Sequence, residues 1–233
     1  MSDLRPVFFF DIDNCLYSSN RKVREVTTGL VTEYIKNTLS LDQEAALKLH
    51  TKYHNEYSLI VEGLAQNHSI SPLHFNSHVD DALPLEDLLE PDPELRKMLQ
   101  DIDKSKVKLW LLTNAYVNHG KRVVRLLEIE DQFEGLTYCD YEASPIRSKP
   151  HLEMFKRAMK EACVEDMKSC YFVDDSAQSC LEAEKLGWTT VHLLEENIQP
   201  PEGYVCKHRI THLSELRKLF PEFYNEHKTD SFQ

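Results

Sequence analysis

Short apolar runs alternate with amphipathic segments along much of the chain. The runs are VFFF (7–10), VKLWLL (107–112), SCYFV (169–173) and WTTVHLL (188–194), and helix-like segments such as VNHGKRVVRLLEI and SAQSCLEAEKLG lie between the later ones. Continuous apolar runs are typical of strands buried on both faces, and strands that alternate with helices form parallel sheets. The pattern therefore predicts an α/β protein with a Rossmann-like parallel sheet at its core.

The section between about Tyr17 and Asp92 has a different pattern, because it contains no convincing strand. Apolar positions there recur at helical spacing, as at Val23, Val26, Leu30 and Tyr34. We therefore expect a helical cap, residues 17–92, to be inserted after the first strand into a core formed by residues 1–16 and 93–233. There are no internal repeats and no low-complexity segment.

Local signals predict where several helices begin and end. Ser71 and Asp92 are each followed by a proline, which is the usual order of an N-cap and the first helical residue. Ser40, with Gln43 three residues later, resembles a capping box that opens a further helix. Gly187 suits the position just after the end of a helix.

Composition and charge narrow the classes of function. The chain has 233 residues and a net charge of −12, so broad binding to nucleic-acid polymers is not expected. No apolar stretch reaches the roughly 18 residues of a membrane span, and the N-terminus does not resemble a secretory signal. The six cysteines form no C-x-x-C pair, and we expect reduced thiols and a cytoplasmic location, with the nucleus also open. Oligomeric state is left open.

Polar residues follow the apolar runs at four places. They are Asp11 and Asp13 after VFFF, Thr113 and Asn114 in LLTNA, Lys149 in SKPH, and Asp174 and Asp175 in YFVDDS. In open parallel sheets, ligands bind beyond the carboxyl ends of the strands. We therefore expect these side chains to converge on one cleft.

That set of groups is suited to phosphate chemistry. Several carboxylates in one cleft repel each other unless a cation lies among them, and oxygen ligands with an open side suit Mg²⁺. Thr113 and Lys149 are donors suited to phosphoryl oxygens. Asp11, at the end of the strand, is the expected nucleophile that forms an aspartyl-phosphate. Asp13 is the expected general acid and base.

The motifs DIDNCLY, LLTNA, KPH and FVDDS, in this order, resemble the four motifs of the haloacid dehalogenase (HAD) superfamily of phosphatases. The helical insert resembles the mobile cap of that superfamily. Longer stretches that begin NEYSLIVEGL, LLTNAYVNHG and FVDDSAQSCL look like the fungal pyrimidine 5′-nucleotidase branch. The resemblance implies magnesium-dependent hydrolysis of nucleoside monophosphates, with UMP and CMP preferred.

The same resemblance implies a role for each motif residue. Asp11 is implied to be the nucleophile and a metal ligand, and Asp13 to be the acid and base with a backbone carbonyl on the metal. Thr113, Asn114 and Lys149 are implied to hold the phosphate. Asp174 and Asp175 are implied to bind magnesium, and which of them binds it directly rather than through water is left open. One departure is Cys15, where the motif usually has threonine. Its effect is expected to be a looser turn without loss of activity.

Several alternatives remain open at this point. The substrate can be another small phosphate ester, such as a purine nucleotide, a sugar phosphate or a lysophospholipid, and a mutase-type transfer can replace hydrolysis. A non-catalytic, phospho-accepting signalling module is a remote alternative, because Lys149 precedes the second acidic pair. A dehalogenase would have no use for the acid Asp13.

Three tyrosines and four histidines are weaker candidates for function. Tyr17, Tyr53 and Tyr57 could stack on a base, although aromatic residues at helical spacing are more often core residues. A zinc site at His68, His74 and His78 is disfavoured, because a proline intervenes and no further ligand completes the spacing. His119 is interpreted as part of the start of a helix.

Overall fold

A parallel sheet of six strands forms the centre of the described part of the chain, residues 3–196 and 198–225 of this computed structural model. The strands are β1 (Val7–Phe10), β2 (Lys108–Leu112), β3 (Gly135–Thr137), β4 (Cys170–Asp174), β5 (Thr189–Leu193) and β6 (His208–Ile210), in the order β3-β2-β1-β4-β5-β6. The predicted α/β fold with a parallel sheet is therefore confirmed. The two strands that the apolar runs did not predict, β3 and β6, have three residues each.

Ten α-helices surround the sheet or lie between its strands in the described ranges. They are α1 (Val23–Leu39), α2 (Gln43–Glu56), α3 (Ile60–His68), α4 (Pro72–His78), α5 (Leu85–Leu88), α6 (Pro93–Gln100), α7 (Val117–Leu126), α8 (Leu152–Glu161), α9 (Ala177–Lys185) and α10 (Leu216–Leu219). Helices α1 to α5 follow β1, so the predicted helical insert is present; its bounds at 17 and 92 stay a prediction. None of the helices in the described ranges has the length and apolar character needed to cross a bilayer.

The helix ends agree with most of the local signals. Ser71 and Asp92 are N-caps with proline next, and the Asp92 carboxylate accepts hydrogen bonds from two backbone N–H groups of α6. Gly187 has a φ of 97° just beyond α9, as a residue after a helix end should. The capping box at Ser40 is wrong. Ser40 is left-handed (φ 53°) and ends α1, whereas Asp42 caps α2 by accepting from the N–H of Ala45 at 2.8 Å.

The aromatic residues of β1 alternate between the two faces of the sheet, because successive side chains of a strand point in opposite directions. Phe8 and Phe10 belong to the core cluster on one face, and Phe9 to the cluster on the other. There the Phe9 ring stacks on Trp188 with 4.8 Å between ring centroids. Burial on both faces fixes β1, and therefore fixes the start of the segment that follows Phe10.

A third cluster lies among the inserted helices, and it includes residues from outside them. Tyr34, Ile35 and Leu64 pack there with Tyr141 and Ile146, which belong to the loop between β3 and α8. The loop is thus part of the hydrophobic core of the insert. The position of the insert over the carboxyl edge of the sheet depends on this shared packing.

Two glycine-to-alanine changes should have opposite effects on stability. The indole of Trp110 lies across Gly135, where a Cβ atom would be 2.2 Å from the nearest ring atom, and the indole N–H is held by Thr137 at 3.0 Å. We expect Gly135→Ala to lower the free energy of unfolding by about 1–3 kcal/mol. Gly29 is the matched control, because it is exposed within α1 and a Cβ added to it would have nothing within 4 Å.

In that control, Gly29→Ala should raise the free energy of unfolding by up to about 1 kcal/mol, because alanine loses less backbone entropy in a helix. Urea denaturation of both variants beside the wild type measures the two effects. Equal stabilities for Gly135→Ala and the wild type would contradict the close approach of Trp110.

Candidate active site

The ends of three adjacent strands bring polar side chains to one edge of the sheet. Phe10 of β1 pairs with Leu111 of β2 and with Val173 of β4, so the residues that follow leave the sheet side by side. The N–H of Asp11 continues the ladder by donating to the carbonyl of Val173 at 3.0 Å. As a result Asp11, Thr113 and Asp174 are all buried at this edge.

The ammonium group of Lys149 joins two of these strand ends. Its Nζ lies 2.6 Å from Asp11 Oδ1 and 2.6 Å from Asp174 Oδ2, and the side chain is 3% exposed. Burial works against the charge, but the two carboxylates outweigh it and raise the pKa of Lys149 above its usual value. Lys149 is therefore charged, and it pairs with two buried carboxylates at once.

Asn114 holds the backbone of Lys149 in place. Its Nδ2 donates to the Lys149 carbonyl at 3.0 Å, and its Oδ1 accepts from the Lys149 N–H at 2.6 Å. The observed contacts of the Asn114 side chain thus position Lys149, and its predicted contact with phosphate stays a prediction. The Thr113 hydroxyl accepts from the N–H of Ala115 at 3.0 Å, which leaves its own hydrogen available for a ligand.

Asp174 and Asp175 differ in their surroundings. Asp174 Oδ1 accepts from the N–H of Ser176 at 2.7 Å, and Asp174 is 1% exposed. Asp175 Oδ2 accepts from Arg24 of α1 at 3.0 Å. Ser176, rather than Asp175, caps α9 by accepting from the N–H of Ser179. Both carboxylates are therefore free of a helix-capping role.

Three carboxylates form a group that fits a divalent cation. Oxygen atoms of Asp11, Asp174 and Asp175 lie within 4.8 Å of one another, the one such group of acidic, histidine or cysteine ligands within residues 3–196 and 198–225. Burial raises the pKa of Asp11 well above its usual value, and although Lys149 opposes the shift, Asp174 adds to it. Burial and Asp174 likewise raise the pKa of Asp175 to about 7. Lys149 and Arg24 supply two positive charges against three carboxylates, which leaves negative charge in excess that Mg²⁺, a hard cation with a preference for oxygen ligands, can neutralise.

Asp13 has two hydrogen-bond partners that were not predicted from the sequence. His119 Nε2 lies 2.7 Å from Asp13 Oδ1, and the Tyr17 hydroxyl donates to the same oxygen at 2.6 Å. Burial opposes the charge of Asp13, but the charge and hydrogen bond of His119, with the bond from Tyr17, lower its pKa. Burial also opposes the charge of His119, but Asp13 raises its pKa. The two side chains form an ion pair in which His119 is buried and Asp13 is half-buried.

One signal in the sequence could have identified His119. It lies in the first turn of α7, the helix that follows LLTNA, and this turn begins at the carboxyl edge of the sheet. A histidine there faces the cleft or the core. The choice between the two depends on the packing of α7 against the turn at Asp13, which is a contact 106 residues apart in the chain.

The turn after Asp11 keeps the geometry expected of the first motif. Asn14 is left-handed with a φ of 57°, a conformation that asparagine tolerates. The N–H groups of Cys15 and Leu16 both donate to the carbonyl of Ile12, at 3.3 and 3.0 Å. The buried Cys15 thiol lies 3.8 Å from the carbonyl of Val173 in β4. The predicted loosening of the turn by Cys15 stays a prediction.

A cavity of about 480 Å³ opens beside these residues, within the range of small-molecule sites. Asp13, Asn14, Tyr17, Asn114 and His119 line one side of it. The inserted helices and the loops at their ends supply the other side, including Arg24, Thr27, Thr28, His50, His54, Leu59, Ile60, Phe75 and Asp80. A ligand beside Asp13 would therefore be enclosed between the sheet edge and the insert.

Of the three tyrosines predicted to contact a base, the structure brings only Tyr17 to this cavity. The Tyr53 hydroxyl bonds to His68 at 2.8 Å, and the Tyr57 hydroxyl accepts from Asn67 at 2.8 Å. The rings of Tyr53 and Tyr57 pack on Gly63, where a Cβ would be 2.8 Å from each. Both are core residues of the insert and do not line the cavity.

The three histidines considered for zinc do not assemble as a set of ligands either. His68 bonds to a tyrosine hydroxyl in the core of the insert, and His74 Nδ1 bonds to the Tyr34 hydroxyl at 2.7 Å. The rings of His74 and His78 stack with 4.1 Å between centroids. Hydrogen bonding and ring packing therefore account for these residues.

Comparison with known proteins is consistent with this fold. The family model of haloacid dehalogenase-like hydrolases matches residues 6–187. That range contains every polar residue described above at the sheet edge, from Asp11 to Asp175.

Two characterised relatives and one crystal structure are similar to the chain. It is 38% identical over 213 residues to Phosphate metabolism protein 8 of Saccharomyces cerevisiae, covering 87% of this chain and 66% of the yeast protein. It is 24% identical over 204 residues to the glyceraldehyde 3-phosphate phosphatase of Methanocaldococcus jannaschii, covering 80% of this chain and 83% of that one. The crystal structure of a HAD phosphatase from Thermococcus onnurineus has a TM-score of 0.61 at 18% identity, covering 92% and 97% of the two chains. At that identity the structural likeness shows the shared fold.

Magnesium should stabilise the folded protein through the three carboxylates. A ligand that binds only the folded state, at a concentration a hundred times its Kd, raises the free energy of unfolding by about 2.7 kcal/mol. For a chain of this size, that corresponds to a rise in Tm of about 5–10 °C. We expect this rise with magnesium chloride in the wild type and in Glu44→Gln, an exposed control in α2. It should vanish in the double variant Asp174→Asn/Asp175→Asn. Calorimetry at constant ionic strength measures it, and an equal rise in the double variant would contradict the site.

Proposed function

The chain belongs to the haloacid dehalogenase-like hydrolase family, and from that premise we propose that it is a magnesium-dependent phosphomonoesterase acting on nucleoside 5′-monophosphates, with pyrimidine nucleotides preferred. The observation that carries the proposal is the second carboxyl, Asp13, held by His119 and Tyr17 beside the buried Asp11. An alkoxide that leaves phosphorus needs a proton, whereas a halide that leaves carbon does not. The Asp13 arrangement therefore favours phosphate esters over haloacids.

In the first half of the proposed reaction, the Asp11 carboxylate attacks phosphorus. A bond forms between Asp11 and phosphorus while the ester bond to the alcohol breaks, which leaves an aspartyl-phosphate. The leaving oxygen takes a proton from the Asp13 carboxyl. His119 Nε2 holds that proton in the free enzyme, bonded to Asp13 Oδ1. It transfers the proton to Asp13, and Asp13 gives it to the leaving oxygen.

In the second half, water replaces the alcohol. Asp13 takes a proton from that water as its oxygen attacks phosphorus. The bond between phosphorus and Asp11 breaks, inorganic phosphate leaves, and the Asp11 carboxylate is restored. Because the Asp13–His119 pair gives one proton and then takes one back, the cycle closes without any further acid or base.

The other residues of the cleft would hold the transferring group. The Lys149 ammonium, bonded to Asp11, is placed to pair with phosphoryl oxygens in the transition state. The available hydrogen of the Thr113 hydroxyl would bond a second oxygen. Asp11, Asp174, Asp175 and the backbone carbonyl of Asp13 are the groups that would hold magnesium. When bound, magnesium would neutralise charge on the phosphoryl group and the carboxylates.

The choice of substrate rests on the cavity and on the branch resemblance together. A nucleoside contains a polar sugar and a flat base, and the cavity offers polar side chains as well as Phe75 and the histidines His50 and His54. The rings of the two histidines lie parallel (4°), with centroids 6.3 Å apart. The name of the yeast relative, Phosphate metabolism protein 8, supports phosphate chemistry without specifying a substrate. Other nucleotides, sugar phosphates and lysophospholipids stay alternatives.

A panel of phosphate esters tests the proposed function. With Mg²⁺ present, we expect release of inorganic phosphate from UMP and CMP, with kcat/KM highest for these among UMP, CMP, AMP, GMP, glucose 6-phosphate and lysophosphatidic acid. Asp11→Asn should lower kcat at least about 1,000-fold, since it removes the nucleophile. Circular dichroism of Asp11→Asn should match the wild type. A wild type that hydrolyses none of these esters would reject the proposed function, and full activity in Asp11→Asn would reject the mechanism.

Removal of His119 should change the pH dependence of turnover. The charge of His119 holds the pKa of Asp13 down, so its loss raises that pKa and Asp13 loses its proton only at a higher pH. We expect His119→Ala to shift the acid limb of the kcat profile to higher pH and to lower kcat about 100-fold or more. His119→Gln, which keeps a donor without the charge, should show the same direction of shift.

His78→Ala provides the control for this prediction, because His78 is exposed on α4 and does not line the cavity. Its profile should overlay that of the wild type. An acid limb of His119→Ala at the wild-type position would mean that His119 does not set the protonation of Asp13.

A further inference from the structure

Three buried polar atoms that line the cavity have no hydrogen-bond partner in the described residues. They are Asp80 Oδ2, His119 Nδ1 and Asn14 Oδ1. Buried polar atoms are nearly always paired, and those left unpaired at a cavity are natural contacts for a ligand or for ordered water. Two of the three residues, His119 and Asn14, lie beside the proposed catalytic groups. Asp80 comes from the insert, on the side where the alcohol part of a substrate would lie.

The backbone of Asp80 is held firmly. It lies in the turn between α4 and α5, and its backbone carbonyl accepts from Arg122 Nη1 at 3.3 Å. The other guanidinium nitrogen of Arg122 donates to the carbonyl of Leu83 at 2.9 Å. Arg122 lies on α7, three residues after His119, so this clamp fixes the Asp80 turn to the helix that carries His119. The Asp80 carboxyl is thereby positioned while its Oδ2 is left without a partner.

The charges around Asp80 place it close to the proposed acid and base. Burial raises the pKa of Asp80 to about 6, with an opposing effect of His119 and a further rise from Asp13. At neutral pH the carboxyl is therefore mainly ionised and acts as an acceptor. The Tyr141 hydroxyl, from the loop that shares the core of the insert, also interacts with it. A group that met Asp80 would lie near the ester oxygen, since Asp13 must reach that oxygen.

We propose that Asp80 determines specificity by accepting a hydrogen bond from a hydroxyl group on the leaving alcohol, a few bonds from the ester oxygen. This inference deepens the proposed function and rests on it. A hydroxyl fits because it can donate to the unpaired Asp80 Oδ2 while its oxygen stays available for a second bond, and His119 Nδ1 is also unpaired at this cavity. An ammonium group has no lone pair for such a second bond. The favoured substrates are therefore esters of ribose, another sugar or glycerol, rather than of a plain alkyl or aryl alcohol.

Substrate pairs that differ only in hydroxyl groups test the inference. The pairs are UMP with 2′,3′-dideoxyuridine 5′-monophosphate, and glycerol 3-phosphate with propyl phosphate. For the pair whose hydroxylated ester is hydrolysed faster, we expect wild-type kcat/KM to be about 10- to 100-fold higher for that ester than for its partner. This is the size of effect expected for a hydrogen bond to a charged group. Asp80→Ala should remove that preference by slowing the hydroxylated ester far more than its partner. Asp80→Asn, of the same shape, should lose most of the preference and covers the case in which Asp80→Ala fails to fold.

Asp81→Asn is the matched control, because the neighbouring Asp81 carboxyl bonds to Asn76 at 2.9 Å and does not line the cavity. It should keep the wild-type preference. Equal losses on both members of a pair in the Asp80 variants, or a wild type without any preference, would overturn the inference while leaving phosphatase activity established. A wild type inactive on every ester, including phenyl phosphate, would reject the proposed function and this inference with it.

Discussion

One buried ammonium group makes the candidate site possible. Lys149 lies between two carboxylates that project from the ends of β1 and β4, at 2.6 Å from each. A buried carboxylate without a partner costs several kcal/mol, and two adjacent ones repel each other as well. The strand ends can therefore carry Asp11 and Asp174 only because Lys149 reaches them from a separate loop, and that loop is held in turn by Asn114.

The residues at the carboxyl edge of the sheet could be predicted from the sequence, because their positions depend on local apolar runs and on the topology of parallel sheets. Apolar runs such as VKLWLL mark strands that are covered on both faces, and parallel strands end at one edge. Strands β3 and β6 were not predicted, because three residues are too few to form a recognisable apolar pattern. The prediction that Ser40 caps α2 is wrong because the residue that ends α1 and the residue that caps α2 are only two positions apart. Ser40 ends α1 and Asp42 caps α2, and only the backbone conformation distinguishes the two roles.

The other side of the cavity was harder to predict, since it depends on contacts between distant parts of the chain. The position of His119 in the first turn after LLTNA places it near the cleft or the core, but it does not show that His119 meets Asp13, because that contact requires α7 to pack over the turn that follows β1. The sequence was equally ambiguous about whether Tyr53 and Tyr57 contact a ligand or belong to the core. In the structure both rings pack closely on Gly63, in the core of the insert. Helical spacing shows which side chains share one face of a helix, but it does not show whether that face lines the cavity or packs into the core.

The thiol of Cys15 has a consequence for the chemistry of the cleft. Burial raises the pKa of Cys15 well above that of a free thiol, and the carboxylates of Asp11 and Asp174 raise it further. Since only the thiolate attacks electrophiles or reacts readily with peroxides, burial and the raised pKa make this sulfur much less reactive than an exposed thiol. A cysteine can thus occupy the turn beside the carboxylate nucleophile without competing with it for phosphorus and without making the motif sensitive to oxidants.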